Sequence, residues 1–158
     1  MIDIIDVKIL NILQENARTS NAEIARQLEM APSAVFERIR KLEERAVLKA
    51  YEARLDFLKL GLGLVAFIFI RTDDHVGEHE TAKRIARIPE VQEVHDVAGE
   101  DCYVVKLRVR DTRHLARLMR EHFGKMKSIV STRTTIVLET IKESGRLPLE
   151  TIESEERR

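Results

Sequence analysis

The chain contains no tryptophan, a single cysteine and three prolines, and it carries no net charge. The lone thiol, Cys102, excludes an internal disulfide, and a reducing cytoplasm is its simplest setting. Residues 62–70 form the longest apolar run, far short of the ~18 residues a membrane-spanning helix needs. Asp3 and Asp6 interrupt the first apolar residues, so no signal peptide is expected. No Gly-rich phosphate loop and no Ser/His/Asp grouping stands out, so no catalytic site is expected and the protein is read as a non-enzyme. His75 and His79 have metal-ligand spacing only if they lie on a helix; Gly77 between them and the lack of a third ligand argue against a metal site. Zero net charge weighs against a solitary DNA-binding unit, because such proteins normally carry a basic footprint. Residues 1–60 alone hold ten Lys/Arg and ten Asp/Glu. If DNA is the partner, single copies bind weakly and several copies together compensate.

What the chain does contain is clear amphipathic periodicity over 44% apolar and 34% charged residues. Ile5, Ile9, Ile12 and Leu13 share one face of a predicted helix over residues 3–16, with Asp3 or Asp6 suited to its positive end. Ser20 and Glu23 have capping-box spacing and open a second helix that buries Ile24, Ala25 and Leu28. A turn at 29–31 leads to Pro32, which fits the first position of a third helix. On that helix Val35, Phe36, Ile39 and Leu42 are expected inside, and Ser33, Ala34, Glu37, Arg38, Lys41 and Arg45 outside. Residues 49–55 then suggest a short strand or wing.

Two readings of the third helix stand side by side. One is an ordinary solvated charged face. The other is insertion into a DNA groove, with Ser33 and Ala34 near base edges and Arg38 and Lys41 reaching bases or phosphates. Arg40 and Arg45 would then flank as phosphate contacts, while Glu37 accepts from a cytosine amino group or restrains its basic neighbours.

Gly61 and Gly63 frame a boundary, after which the period changes. The predicted order is a strand at 62–70, a helix at 78–88 stopped by Pro89, a strand at 91–98, and a turn at Gly99. A cleanly alternating strand at 103–109 follows, then a helix capped by Asp111 or Thr112, then a long strand at 129–141. This β-α-β-β-α-β order is the split βαβ, or ferredoxin-like, arrangement. It covers one sheet face with helices and leaves the other for a second copy or a ligand, so a dimer is expected. The fold class is therefore α+β: a winged helix-turn-helix at 1–55, a linker at 56–63, a ferredoxin-like unit at 64–142, and a C-terminal tail at 143–158, charged and frayed over 150–158.

Glu100 and Asp101 beside Gly99 read either as a solvated hairpin tip or as a ligand contact, in which backbone amides take a carboxylate and an acid takes an ammonium. Thr132 and Thr134 share one strand face and offer hydroxyls, or are ordinary strand threonines. Cys102, next to two acids, is a poor nucleophile and reads as a small buried filler.

Four motifs follow in order over residues 2–149. They are Asp3-Ile-Ile-Asp6-Val-Lys-Ile-Leu10, Ala31-Pro-Ser-Ala-Val-Phe-Glu-Arg-Ile-Arg-Lys-Leu42, Val97-Ala-Gly-Glu-Asp-Cys-Tyr103, and Ser131-Thr-Arg-Thr-Thr135 continued by Ile136-Val-Leu-Glu139. Together they resemble the leucine-responsive regulator/AsnC, or feast/famine, family. The resemblance implies a cytoplasmic regulator of transcription that binds double-stranded promoter DNA as a dimer and assembles to tetramers or octamers, with no cofactor and no membrane association. It further implies an amino acid or related metabolite, of unknown identity, as effector, contacted by Gly99, Glu100, Asp101, Cys102, Thr132 and Thr134. The chain departs from the family at Ala31, where a serine is usual, and at Cys102, where an aspartate is usual. The alternative is an amino-acid-binding oligomeric sensor without specific DNA targets.

Overall fold

The computed structural model describes residues 2–75 and 77–149. The chain divides into two compact units: residues up to Arg54 with the segment from Glu143 onward, and Leu55–Lys142.

The first unit contains helices α1 (Ile4–Glu15), α2 (Asn21–Leu28) and α3 (Pro32–Glu44). Asp3 and Asp6 form a reciprocal capping box that starts α1, and the Ser20 hydroxyl accepts from the Glu23 amide to start α2. Ile9, Leu13, Ile24, Ala25, Val35 and Ile39 pack into one core. A second cluster joins Val7, Leu10 and Leu42 to Leu149. Of the expected tail, residues 143–149 belong to the first unit. The Leu147 amide also donates to Gln14 (2.7 Å), and Arg54 donates to the Glu143 carbonyl (3.2 Å). The remainder of the expected tail, 150–158, lies outside the described residues. The expected wing at 49–55 forms no strand, and among the described residues this unit holds no other strand to pair with it. Tyr51 instead donates its hydroxyl to Glu43 (2.9 Å).

The second unit is a four-stranded antiparallel sheet in the order β2-β3-β1-β4. Its strands are β1 (Leu64–Thr72), β2 (Val91–Asp96), β3 (Tyr103–Val109) and β4 (Ile129–Ile136). Helices α4 (Glu80–Ile85) and α5 (Thr112–Glu121) cover one face, and Asp111 caps α5 through the His114 amide. Ala66, Ile68 and Ile70 of β1 and Tyr103, Val105 and Leu107 of β3 point into that core with Ile85, Leu115 and Leu118. The alternate residues Phe67, Phe69 and Val104 occupy the opposite face and are only half-buried. β1 is thus not buried on both faces, as its unbroken apolar run suggested. β4 stops at Ile136 rather than 141: Ile136 pairs with Ala66, the Val137 amide makes one further bond to the Val65 carbonyl (2.9 Å), and β1 itself begins at Leu64. β2 likewise ends at Asp96. Among the described residues, no helix is long and apolar enough to cross a membrane.

Candidate nucleic-acid interface and effector loop

The turn between α2 and α3 is closed by Glu29 in the left-handed region (φ 54°), with the Met30 amide returning to the Ala25 carbonyl. α3 then begins without a side-chain cap, because Ala31 has no acceptor. Pro32 has no amide hydrogen, and the Ala34 and Val35 amides turn back to the Ala31 carbonyl. Among the described residues, the Ser33 amide has no partner at this end. The far end is strained: Ala46 sits at φ 53°, where a Cβ costs roughly 1–2 kcal/mol. This lets the Val47 and Leu48 amides reach the Leu42 carbonyl.

Val35, Ile39 and Leu42 anchor α3 in the core. Ser33, Glu37, Arg40 and Lys41 lie exposed, Ala34 is half-buried and Arg45 is exposed. Arg40 is held between Glu37 (2.8 Å) and Glu44 (3.0 Å). Two expectations need correction. Arg38 does not point to solvent: its Nη1 donates to Asp3 Oδ2 and Asp6 Oδ1, each at 2.7 Å, and ties α3 to the start of α1. Those two hydrogen bonds push the Arg38 guanidinium pKa up, and Asp6 is only 7% exposed. Conversely Phe36, expected inside, is 53% exposed. At 100° per residue it falls outside the arc of Val35, Ile39 and Leu42, a signal the helical wheel held. Phe36 is the α3 side chain that a search for polar contacts missed, because aromatic rings can meet a thymine methyl.

In the second unit the β2–β3 connection is pinned by the Val97 amide on the Cys102 carbonyl and the Cys102 amide on the Ile70 carbonyl. Gly99 takes φ 152° at the tip, with open space where a Cβ would be. Glu100 is exposed and has no partner among the described residues. Asp101 accepts from Arg133 (3.1 Å), whose guanidinium stacks 4.0 Å over Phe69 on the open face of the sheet. Cys102 turns the other way and packs against the core, its Sγ 3.5 Å from the Thr72 amide. Thr132 and Thr134 pair with Ile70 and Ile68, so they share the helix-side face and not the face of Arg133 and Asp101. Within one chain, then, Gly99, Glu100 and Asp101 come together, while the two threonines and Cys102 do not join them. His75 and His79 share no helix, since α4 begins at Glu80; His79 Nδ1 lies 3.2 Å from the Tyr103 hydroxyl. No group of three or more candidate metal ligands occurs among the described residues.

Known proteins share this arrangement. A family model of the AsnC-type helix-turn-helix domain matches residues 2–43, and one of the Lrp/AsnC ligand binding domain matches residues 65–147. An HTH-type transcriptional regulator of Pyrococcus horikoshii is 36% identical over 149 residues, 94% of this chain and 97% of its own length. The leucine-responsive regulatory protein of Escherichia coli is 33% identical over 154 residues, 95% of this chain and 93% of that protein. A transcriptional regulator from Neisseria meningitidis, solved in complex with L-Met, superposes with a TM-score of 0.90 at 27% identity, covering 96% of this chain and 99% of that one. With both of its units matched in order and over nearly their whole length, the chain belongs to the Lrp/AsnC family of helix-turn-helix transcriptional regulators.

Proposed function

We propose that this regulator reads promoter DNA with α3 from each subunit of a dimer or larger assembly, and that an amino acid meeting the Gly99–Asp101 turn alters that assembly or its DNA affinity. The observation that carries the DNA reading is the exposed face of α3, which begins at a helix end with no side-chain cap. A DNA phosphate supplies the acceptor that Ala31 lacks, at the Ser33 amide and hydroxyl. Lys41 and Arg45 follow along the helix and meet further phosphates or bases. Phe36 contacts a base edge, and Arg40 leaves Glu37 and Glu44 when a phosphate competes for it. Arg38 positions the helix from behind through Asp3 and Asp6. Two α3 helices related by a two-fold axis then enter successive major grooves of a pseudo-palindromic site.

At the effector loop, Asp101 is already engaged by Arg133, so Glu100 is the acid that receives the ligand's ammonium, and the Gly99 turn offers amides to its carboxylate. Cys102 keeps the turn packed. The Neisseria relative's L-Met complex makes methionine the first ligand to try.

Gel shifts against genomic fragments, with light scattering on the same samples, test the DNA reading. Lys41→Ala combined with Phe36→Ala abolishes binding while the oligomer persists; unchanged affinity sinks it. A thermal-shift screen against all amino acids and common 2-oxo acids tests the effector site, since a ligand of the folded state raises the melting temperature. Glu100→Ala erases the shift, and a shift that survives this change rejects the placement.

A further inference from the structure

The whole chain is electrically neutral, yet its charge is unevenly placed. Residues 80–90 and 110–127, which hold α4, α5 and the turn after α5, contain nine Lys/Arg and four Asp/Glu. The remainder of the chain is correspondingly acidic. Arg113, Arg117 and Arg120 follow i, i+4, i+7 spacing on α5, opposite the buried Leu115 and Leu118, and all three are exposed. Exposed Arg84, Arg87 and Lys125, with Glu121 and His122, rim a hollow of about 370 Å³ between the two helices, floored by Ile88, Pro89 and Met126.

The pairing state of these cations sets them apart. On the helices of the first unit, Arg26, Arg38 and Arg40 all have carboxylate partners within 3.0 Å. Among the described residues, Arg84, Arg87, Arg113, Arg117, Arg120 and Lys125 have no carboxylate within 4.0 Å, although Lys83 of the same layer pairs with Glu80 (2.8 Å). Unpaired guanidinium groups aligned on one helix face fit a repeating anion better than a single small one, because the row along α5 runs on past the hollow. This layer also lies on the sheet face opposite Phe67 and Phe69. A second copy that covers those aromatic residues leaves the cations in solvent.

We infer that the helix layer of the ligand-binding unit is a second, sequence-independent contact surface for the phosphate backbone of duplex DNA. The inference rests on the DNA-binding reading above and extends it to a surface outside the helix-turn-helix. It explains how a neutral chain holds a polyanion: α3 supplies discrimination, and the α4–α5 surface supplies counterion release. The acidic remainder of the chain steers the duplex toward these two surfaces.

The test is the salt dependence of binding to a long mixed-sequence duplex, followed by fluorescence anisotropy with the full-length protein. In the triple variant Arg113→Gln, Arg117→Gln, Arg120→Gln, affinity falls at least about tenfold, and the slope of log K against log salt becomes shallower by about 2–3. Replacing the same three residues by lysine keeps the slope, which separates lost charge from lost packing. Light scattering confirms that both variants retain the wild-type assembly. An unchanged slope in the glutamine variant overturns the inference and makes these residues a solvated face. If inorganic phosphate raises the melting temperature of the wild type but not of Arg84→Gln with Arg87→Gln, and the slope stays unchanged, the hollow serves a small phosphorylated ligand instead. If the wild type itself retains no duplex at low salt, the DNA-binding reading fails first.

Discussion

In the first unit, three helices turn their apolar residues toward one another, and the arginines on their surfaces are matched by nearby carboxylates. In the second unit, a sheet hides one face under two helices and leaves Phe67, Phe69 and Val104 half-exposed on the other. The first unit has few unmet needs: the Ser33 amide, the Phe36 ring and a strained residue at Ala46. The second has an unmet area. A handful of unmet groups suits a contact that forms and breaks, whereas a bare sheet face suits a lasting one, since apolar burial scales with area. On the proposed function, reading DNA and holding subunits together are thus served by different physics in different parts of the chain.

The largest expected effect breaks this contrast if the units are not independent. Ile24 is fully buried, and Ile24→Ala should cost about 2–5 kcal/mol. Calorimetry should show one early transition for the helical unit, with the sheet unit melting as before; a single shifted transition means the two are one cooperative block. Next, Phe69→Glu places a charge on the open sheet face and should weaken subunit association by about 2–4 kcal/mol, seen as smaller particles in light scattering. An unchanged particle size would show that another surface joins the subunits.

A smaller effect sharpens the view of Arg38. Arg38→Gln leaves Asp6 buried without its cation and should cost about 1–3 kcal/mol in the first unit. It should lower DNA affinity without changing the salt slope, because the side chain holds α3 and does not meet a phosphate. Acid should loosen the same joint. The Asp6 amide, followed by Arg38, holds the Asp3 carboxyl below its ordinary range. A depressed folded-state value means that the contribution is present above the unfolded value near ~4 and is lost as pH falls through the folded one. Helical melting followed against pH should therefore steepen below about pH 4 in the wild type and less so in Arg38→Gln. Smallest are the two ends of α3. Ala31→Ser restores a cap worth about 1 kcal/mol, and Ala46→Gly relieves a residue at positive φ by about 0.5–1 kcal/mol. Ala46→Gly should leave DNA affinity alone. Ala31→Ser should reduce it, because the new hydroxyl competes for amides at the DNA-facing end; raised affinity there would contradict a phosphate at that position.

Where the chain's own period decided the structure, the sequence was readable. The acidic start of α1 at Asp3 or Asp6, the serine cap at Ser20, the alternation of β3 and the order of all nine main elements follow from local spacing. What escaped depends on partners far along the chain. Arg38 looks like any outward arginine until Asp3 and Asp6, 35 and 32 residues earlier, come within 2.7 Å. The apolar residues after Ile136 look like more strand, but after one bond from the Val137 amide to Val65 the ladder runs out, because β1 begins at Leu64. The motif around Gly99 was legible as a turn with acids. That Asp101 is engaged while Glu100 is free required the position of Arg133, which no local spacing reveals. Phe36 was misplaced for a different reason: its apolar character outweighed its angle on the helix.

The seating of Leu149 against Val7, Leu10 and Leu42 bears on the order of synthesis. A nascent chain folds from its N-terminus as it emerges, at roughly 5–20 residues per second. The helix-turn-helix emerges first here, yet one side of its core stays open until nearly the entire sensor has been translated. A product lacking residues 143–149 would therefore carry α3 on a loosened frame, so the helix is held firmly only once that segment has been made.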